Sequence, residues 1–137
     1  MQNQIDKTAA LRLALGSRVQ EPLLREYYVS FKNWVPFVES GGYGPLDGDG
    51  VPLVDYAGHA RITGGRTVYF SVTVAQYALG LYELWLESGS ERHRERFLTQ
   101  VRWLESRAEE ARSGVLVWPA TFDFPVYGLR APLKGGR

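Results

Sequence analysis

The sequence predicts a mainly α fold, a fragment of an (α/α) toroid or barrel, with short β-strands or a hairpin before the first long helix. Residues 72–89, VTVAQYALGLYELWLESG, are apolar around most of a helical circumference, which is typical of a helix covered on several sides. Residues 91–112 carry one apolar stripe opposite an Arg- and Glu-rich face, as an outer helix does. An inner and an outer antiparallel helix form the unit of a helical toroid.

The composition limits the classes of function. The chain has 137 residues, enough for one domain or for part of a larger one. Its 16 basic and 15 acidic residues nearly balance, so neither nucleic acid nor a membrane is predicted as a partner. Cysteine is absent, which excludes disulfides and thiolate chemistry. The two histidines, His59 and His93, lie far apart in the sequence, so we predict no metal site and no cofactor.

The N-terminus gives a weak prediction of location. MQNQIDKTAALRLALGSR lacks the basic start and long apolar core of a signal peptide. The sequence contains no run of about 18 apolar residues, so we predict no transmembrane helix. A cytoplasmic location is therefore the default expectation.

The first half of the chain reads as short elements between loops. Residues 5–16 predict a short helix, and the aromatic, β-branched Tyr27–Phe31 predicts extended chain. The Gly-, Pro- and Asp-rich residues 39–53 predict a loop. Within it, LDGDG lacks the fifth and twelfth ligands of an EF-hand and predicts a Gly/Asp turn instead.

Strand and helix signals then follow in order. Strands are predicted at Val51–Tyr56 and Thr67–Phe70, with a Gly-rich turn at Thr63–Arg66 between them. A helix should start near Ser71 or Thr73, where Thr73 and Gln76 have the spacing of a capping box.

The remaining signals end this helix and start the next. Gly89 should end the first helix and Ser90 should cap a second helix that runs to about Arg112. The last strand is predicted at Val115–Trp118, before an aromatic loop broken by prolines.

Four stretches together resemble the glucuronyl C5-epimerase family, in its C-terminal domain. They are EYYVSFKNW (26–34), GVPLVDY (50–56), VTVAQYALGLYELWLESG (72–89), and FLTQVRWL followed by VWPATFDFPVYGLRAP (97–104 and 117–132). The most specific piece is VAQYALGLYE. The resemblance implies an N-terminal helical extension at 1–25, a partial epimerase C-terminal-like domain at 26–132 and a divergent tail at 133–137.

The resemblance implies an isomerase that turns D-glucuronate into L-iduronate at C5 within heparosan-like polysaccharide. Such enzymes move the C5 proton with tyrosines and a carboxylate, which must lie within hydrogen-bond reach. The family's catalytic groups follow the segment that ends here at Pro132, so we expect a truncated chain that is inactive alone and assign no catalytic residue. Missing helices would then cover the helix at 74–86.

Several residues are candidates for contact with a uronate-containing polysaccharide, because aromatic faces can stack on sugar rings and Lys32 can pair with a carboxylate. The alternatives are core aromatics on short strands, a capping role for Gln76, and a plug at the barrel end for the late aromatic loop. The candidates are Tyr27, Lys32, Asn33, Tyr56, Phe70, Thr73, Gln76, Trp118 and Tyr127.

A second hypothesis comes from a different class of protein. The chain can be a non-catalytic helical module that binds acidic glycan or associates with itself. A homodimer would use the exposed apolar face of the helix at 74–86, since large exposed apolar patches usually mark interfaces.

Overall fold

The computed structural model describes residues 30–56, 66–123, 128 and 130–131, and within them the fold is mainly α with short antiparallel hairpins, as predicted. The predicted helix at 5–16, most of the Thr63–Arg66 turn, Tyr27 and Tyr127 lie outside the described residues. The elements in order are a 3₁₀ helix (Lys32–Trp34), α1 (Val35–Glu39), β1 (Leu53–Asp55), β2 (Thr67–Tyr69), α2 (Ser71–Ser88), α3 (Glu91–Arg107), β3 (Glu109–Arg112) and β4 (Val115–Val117).

The bounds of α2 confirm the predicted end but not the predicted cap. Gly89 adopts the left-handed conformation, with φ of 65°, and donates its N–H to the carbonyl of Trp85 at 2.7 Å. At the other end the N-cap is Phe70, which is extended, so the capping box proposed for Thr73 and Gln76 is wrong. Thr73 is instead buried inside the helix.

Helices α2 and α3 form the centre of the fold. Only Gly89 and Ser90 join them, so they pack as an antiparallel pair. Phe97 of α3 inserts its ring against α2, with its centroid 5.2 Å from Tyr82 and 6.3 Å from Trp85. This cluster replaces water with aromatic contacts along the helix interface.

The buried surface of α2 is one face rather than the whole circumference. Its buried members recur at helical spacing; they are Thr73, Val74, Tyr77, Ala78, Gly80 and Leu81. Helix α3, the 3₁₀ helix and α1 pack against α2. Much of the cover expected from missing helices is therefore supplied by this chain, while Val72 and Leu86 near the ends of α2 stay 49% and 60% exposed.

Glu83 of α2 fixes the segment that leads into the 3₁₀ helix. Its carboxylate accepts hydrogen bonds from the Ser30 hydroxyl at 2.6 Å and from the N–H groups of Phe31 and Lys32 at 3.1 and 3.4 Å. Phe31 consequently has helical backbone angles, with φ of −108° and ψ of −1°. The prediction of extended chain is wrong at Phe31. In a strand its N–H group would pair with a neighbouring strand, whereas here the Glu83 carboxylate accepts it.

The predicted strands at 51–56 and 67–70 form one antiparallel hairpin, in which Val54 pairs with Val68. The predicted Gly/Asp turn precedes it. One carboxylate oxygen of Asp47 accepts the N–H groups of Asp49 and Val51, each at 2.9 Å, and the other accepts the Tyr69 hydroxyl at 2.7 Å. Asp47 thus binds the turn to β2.

Helix α3 begins after Ser90, as predicted, but ends at Arg107 rather than near Arg112. Ala108 turns to extended geometry, and β3 pairs antiparallel with β4 through a turn in which Gly114 has φ of 75°. The predicted strand at Val115–Trp118 is confirmed as β4. Among the described helices, none combines the length and apolar character that crossing a membrane requires.

Candidate functional site

The loops and element ends at the start of α2 enclose an open groove of about 400 Å³, which we call the aromatic groove. Four of its ten lining residues are aromatic and come from separate parts of the chain. Its lining residues are Trp34, Gly42, Tyr43, Val54, Asp55, Tyr56, Phe70, Val72, Thr73 and Gln76.

Ring contacts hold the groove walls in place. Tyr43 lies between Trp34 and Phe37, with centroid distances of 6.3 and 5.0 Å. On the opposite wall Tyr56 and Phe70 both contact Phe122, at 6.0 and 5.9 Å. Phe122 is 1% exposed and therefore forms a buried base for these two rings. The groove is a preformed aromatic surface.

The structure brings together four of the residues predicted to contact sugar. Tyr56 follows β1, Phe70 is the N-cap of α2, and Thr73 and Gln76 lie in its first turns. Trp34 and Tyr43 belong to the same groove but were missed as candidates. Trp34 ends the quoted EYYVSFKNW stretch and directly follows the candidates Lys32 and Asn33. This position was the one sequence signal that could have identified Trp34 as a candidate.

Lys32 and Asn33 do not line this groove. The Lys32 ammonium group forms an ion pair with Glu87 of α2 at 2.5 Å, which holds it along the helix. Asn33 is exposed on the 3₁₀ helix. The prediction that Lys32 pairs with a uronate carboxylate therefore meets a competing carboxylate from its own chain.

A second cleft, which we call the Arg107 cleft, shares Phe70 with the aromatic groove and has a volume of about 310 Å³. The Arg107 side chain lies over the rings of Tyr69 and Trp103, at 5.7 and 5.5 Å from their centroids. The lining comprises Tyr69, Phe70, Ser71, Trp103, Ser106, Arg107, Ala108, Glu109, Trp118, Pro119, Ala120 and Thr121.

Trp118, the remaining predicted residue that the structure describes, belongs to the Arg107 cleft. Its indole N–H donates to the carbonyl of Leu104 at 2.7 Å, which satisfies a backbone group in the last turn of α3. The hydrogen bond fixes the indole while 42% of the residue stays exposed. Trp118 thus lies at the wall of the second cleft and also supports the end of α3.

Tyr77, in the most specific sequence motif, lies away from both linings. It is 2% exposed, and its hydroxyl donates to a carboxylate oxygen of Glu39 at 3.1 Å. Arg96 of α3 forms an ion pair with the same oxygen. Burial, followed by the nearby negative charge of Glu39, raises the pKa of Tyr77 to about 12. A buried neutral phenol of this kind ties α1, α2 and α3 together.

Two ionisable groups near the clefts have shifted pKa values. Burial raises the pKa of Tyr43. Burial opposes ionisation of Asp47, but hydrogen bonds from Val51, Tyr69 and Asp49 outweigh it and lower its pKa. Within residues 30–56 and 66–123, no three His, Cys, Asp or Glu side chains cluster closely enough to hold a metal ion.

Comparisons of the chain with protein-family models, with curated proteins and with solved structures found no match. The epimerase resemblance therefore depends on the four quoted stretches. The groove and cleft are the observations against which a function can be argued.

Proposed function

We propose that this chain is a glucuronyl C5-epimerase-like unit that binds uronate-containing polysaccharide in the aromatic groove and does not move the C5 proton by itself. One observation carries the proposal: Tyr56, Phe70, Thr73 and Gln76, all selected from sequence as sugar contacts, line a single open groove.

The chemistry of the groove suits a sugar chain. Trp34, which is exposed, and Tyr56, which is half-buried, line the groove and offer aromatic rings on which the apolar face of a pyranose ring can stack. Gln76, which is half-buried, supplies an amide group that can both donate to and accept from sugar hydroxyls. A few fixed polar groups within an apolar wall are typical of ligand sites.

The proposal assigns no proton transfer to this chain. A general base must reach the proton and must have a pKa near the working pH. Tyr77 meets neither condition, since it is buried against Glu39 and its pKa is raised to about 12. Burial also raises the pKa of Tyr43, which moves it further from a neutral working pH. We further propose that α2 and α3 are one inner and outer helix pair of an (α/α) toroid.

Binding is tested by titrating a heparosan octasaccharide into the full chain by calorimetry. Replacing Trp34 by Ala should weaken binding about tenfold, the effect expected for truncating a central aromatic anchor. Leu116→Ala is the matched control, because Leu116 is also exposed and apolar but lies on β4 outside both linings. Equal affinities of the two variants and the wild type would reject the groove as the binding site.

Proton transfer is tested separately, by incubating the protein with heparosan in deuterated water and following deuterium entry at C5 by NMR. We expect no incorporation above a boiled control. Incorporation would contradict the non-catalytic part of the proposal, and variants Tyr43→Phe and Tyr56→Phe would then identify the proton-transfer group.

A second candidate function is self-association. Trp34, Phe37 and Val72 are 42%, 48% and 49% exposed, and Trp34 and Val72 line the same groove. An apolar rim of this kind is also suited to a second copy of the chain. Sedimentation velocity distinguishes the two functions: a dimer that heparosan fragments do not dissociate would favour self-association.

A further inference from the structure

The Arg107 cleft supplies a positive charge that the described lining of the aromatic groove lacks. Among the described residues that line the groove, Asp55 is the only charged one, and Lys32 is engaged with Glu87 outside it. The described lining of the groove therefore offers no cationic group to a uronate carboxylate. A neutral sugar unit does not need one.

Two aromatic neighbours restrict the position of the Arg107 guanidinium. Its guanidinium lies over Tyr69 and Trp103, whose ring centroids are 5.3 Å apart. Tyr69 is in turn fixed by its hydrogen bond to Asp47 at 2.7 Å. Stacking restricts the long side chain, so less conformational entropy is lost when the guanidinium binds a ligand.

The guanidinium is the group best matched to a carboxylate, because its planar N–H donors fit both oxygens at once. The hydroxyl groups of Ser71 and Thr121 line the same cleft and can contact sugar hydroxyls. Glu109 also lines the cleft, so a ligand carboxylate must approach on the Arg107 side. Phe70 lines both sites, so the two sites adjoin each other.

We propose that the Arg107 cleft binds the carboxylate of a uronate unit, while the adjacent neutral unit of the same polysaccharide stacks in the aromatic groove. This inference rests on the proposed glycan-binding function and makes Arg107, not Lys32, the group that recognises the uronate. The ligand is a polymer that alternates uronate and neutral units, as heparosan does.

The test compares a heparosan octasaccharide with the same octasaccharide after reduction of its carboxyl groups to alcohols. Wild-type protein should bind the carboxylate form about tenfold more tightly, the scale of one charge-assisted hydrogen-bonded pair. Arg107→Gln should abolish this preference, by weakening binding of the carboxylate form to about the affinity of the reduced form. Arg102→Gln is the matched control, since Arg102 is exposed on α3 but absent from both linings.

A further measurement keeps the test decisive if Arg107→Gln folds poorly. In wild-type protein, added salt should weaken binding of the carboxylate form much more than that of the reduced form. Binding of both forms that is equally insensitive to salt would overturn the Arg107 site.

The outcomes separate this inference from the function on which it depends. If both octasaccharides bind with equal affinity and Trp34→Ala weakens both, the groove stands and the Arg107 site is rejected. If Arg107→Gln keeps the preference for the carboxylate form, the site is also rejected. If wild-type protein binds neither octasaccharide, the proposed function and the Arg107 site are rejected together.

Discussion

Gly80 lies where α2 packs closely against Phe31 and Val35. Replacing Gly80 by Ala should therefore destabilise the protein. A Cβ atom at this position would lie 2.6 Å from the carbonyl oxygen of Phe31, 2.9 Å from its carbonyl carbon and 2.8 Å from Val35 Cγ2. Contacts below 3.0 Å require something to move, and the Phe31 atoms belong to the backbone. The clash is therefore not relieved by rotating one side chain.

The predicted change in the free energy of unfolding has the opposite sign to the change that helix propensity alone would cause. In the interior of a helix, Gly→Ala alone would stabilise by about 1 kcal/mol. Overpacking a closed contact costs about 1–3 kcal/mol, and a backbone contact places Gly80 near the upper end. The net expectation is a loss of about 2 kcal/mol in the free energy of unfolding.

Urea unfolding followed by far-UV circular dichroism measures this difference. With a denaturant slope of about 2 kcal/mol/M, the midpoint of Gly80→Ala should fall by about 1 M. Gly48→Ala is the matched control, because its Cβ meets no described atom within 4 Å. Its midpoint should change by less than about 0.25 M, corresponding to an ordinary surface substitution. An unchanged or raised midpoint for Gly80→Ala would refute the close approach of Phe31 to α2.

Three further predictions concern side chains that join elements. Tyr77→Phe should lower the free energy of unfolding by about 1 kcal/mol at neutral pH. Because the pKa of Tyr77 is raised from 10.0 to about 12, the unfolded wild type ionises first as the pH rises from 10 to 12. Urea titrations over this range should show the wild type losing about 1 kcal/mol per pH unit relative to the variant. Asp47 has a lowered pKa, so its contribution is present above pH 3.8 and is lost as the pH falls below it; an acid titration of Asp47→Asn should be less steep than that of the wild type. Trp118→Phe removes the hydrogen bond to Leu104 and should cost about 1 kcal/mol, with an unchanged urea midpoint as the contradicting result.

Local sequence was sufficient for α2, for the start of α3 and for three strands, but it did not predict the 3₁₀ helix, α1 or the end of α3 at Arg107. The apolar spacing at 72–89 and the glycine after it predicted α2 and its end, because Gly89 can adopt the left-handed conformation at low cost. Short stretches rich in β-branched and aromatic residues beside turn signals predicted β1, β2 and β4. Each of these signals depends on neighbours along the chain.

Elements set by pairing or contact with another segment were not predictable. EEAR at 109–112 has good helix propensity, yet it forms β3 because Val115–Val117 pairs with it across a Gly114 turn. Phe31 takes helical angles because Glu83 accepts the N–H groups of Phe31 and Lys32. In both cases a tertiary partner overrides the local preference.

In the candidate site, too, some residues were predictable from the sequence and others depend on tertiary contacts. Tyr56, Phe70, Thr73 and Gln76 were found through the family resemblance and do converge on one groove. Arg107 was assigned to a solvated helix face, because acids and bases nearly balance in that run. Its position over two aromatic rings depends on β2, which is far away in the sequence.

The most direct test of glycan binding uses the four Trp indole N–H signals in an NMR titration with a heparosan octasaccharide. Trp34 lies in the aromatic groove, Trp103 and Trp118 line the Arg107 cleft, and Trp85 packs against Phe97 outside both. We expect the Trp34 and Trp118 signals to shift in a saturable way with one common affinity, while the Trp85 signal stays in place. Four unmoved signals, or a Trp85 shift as large as that of Trp34, would contradict glycan binding at the groove and cleft.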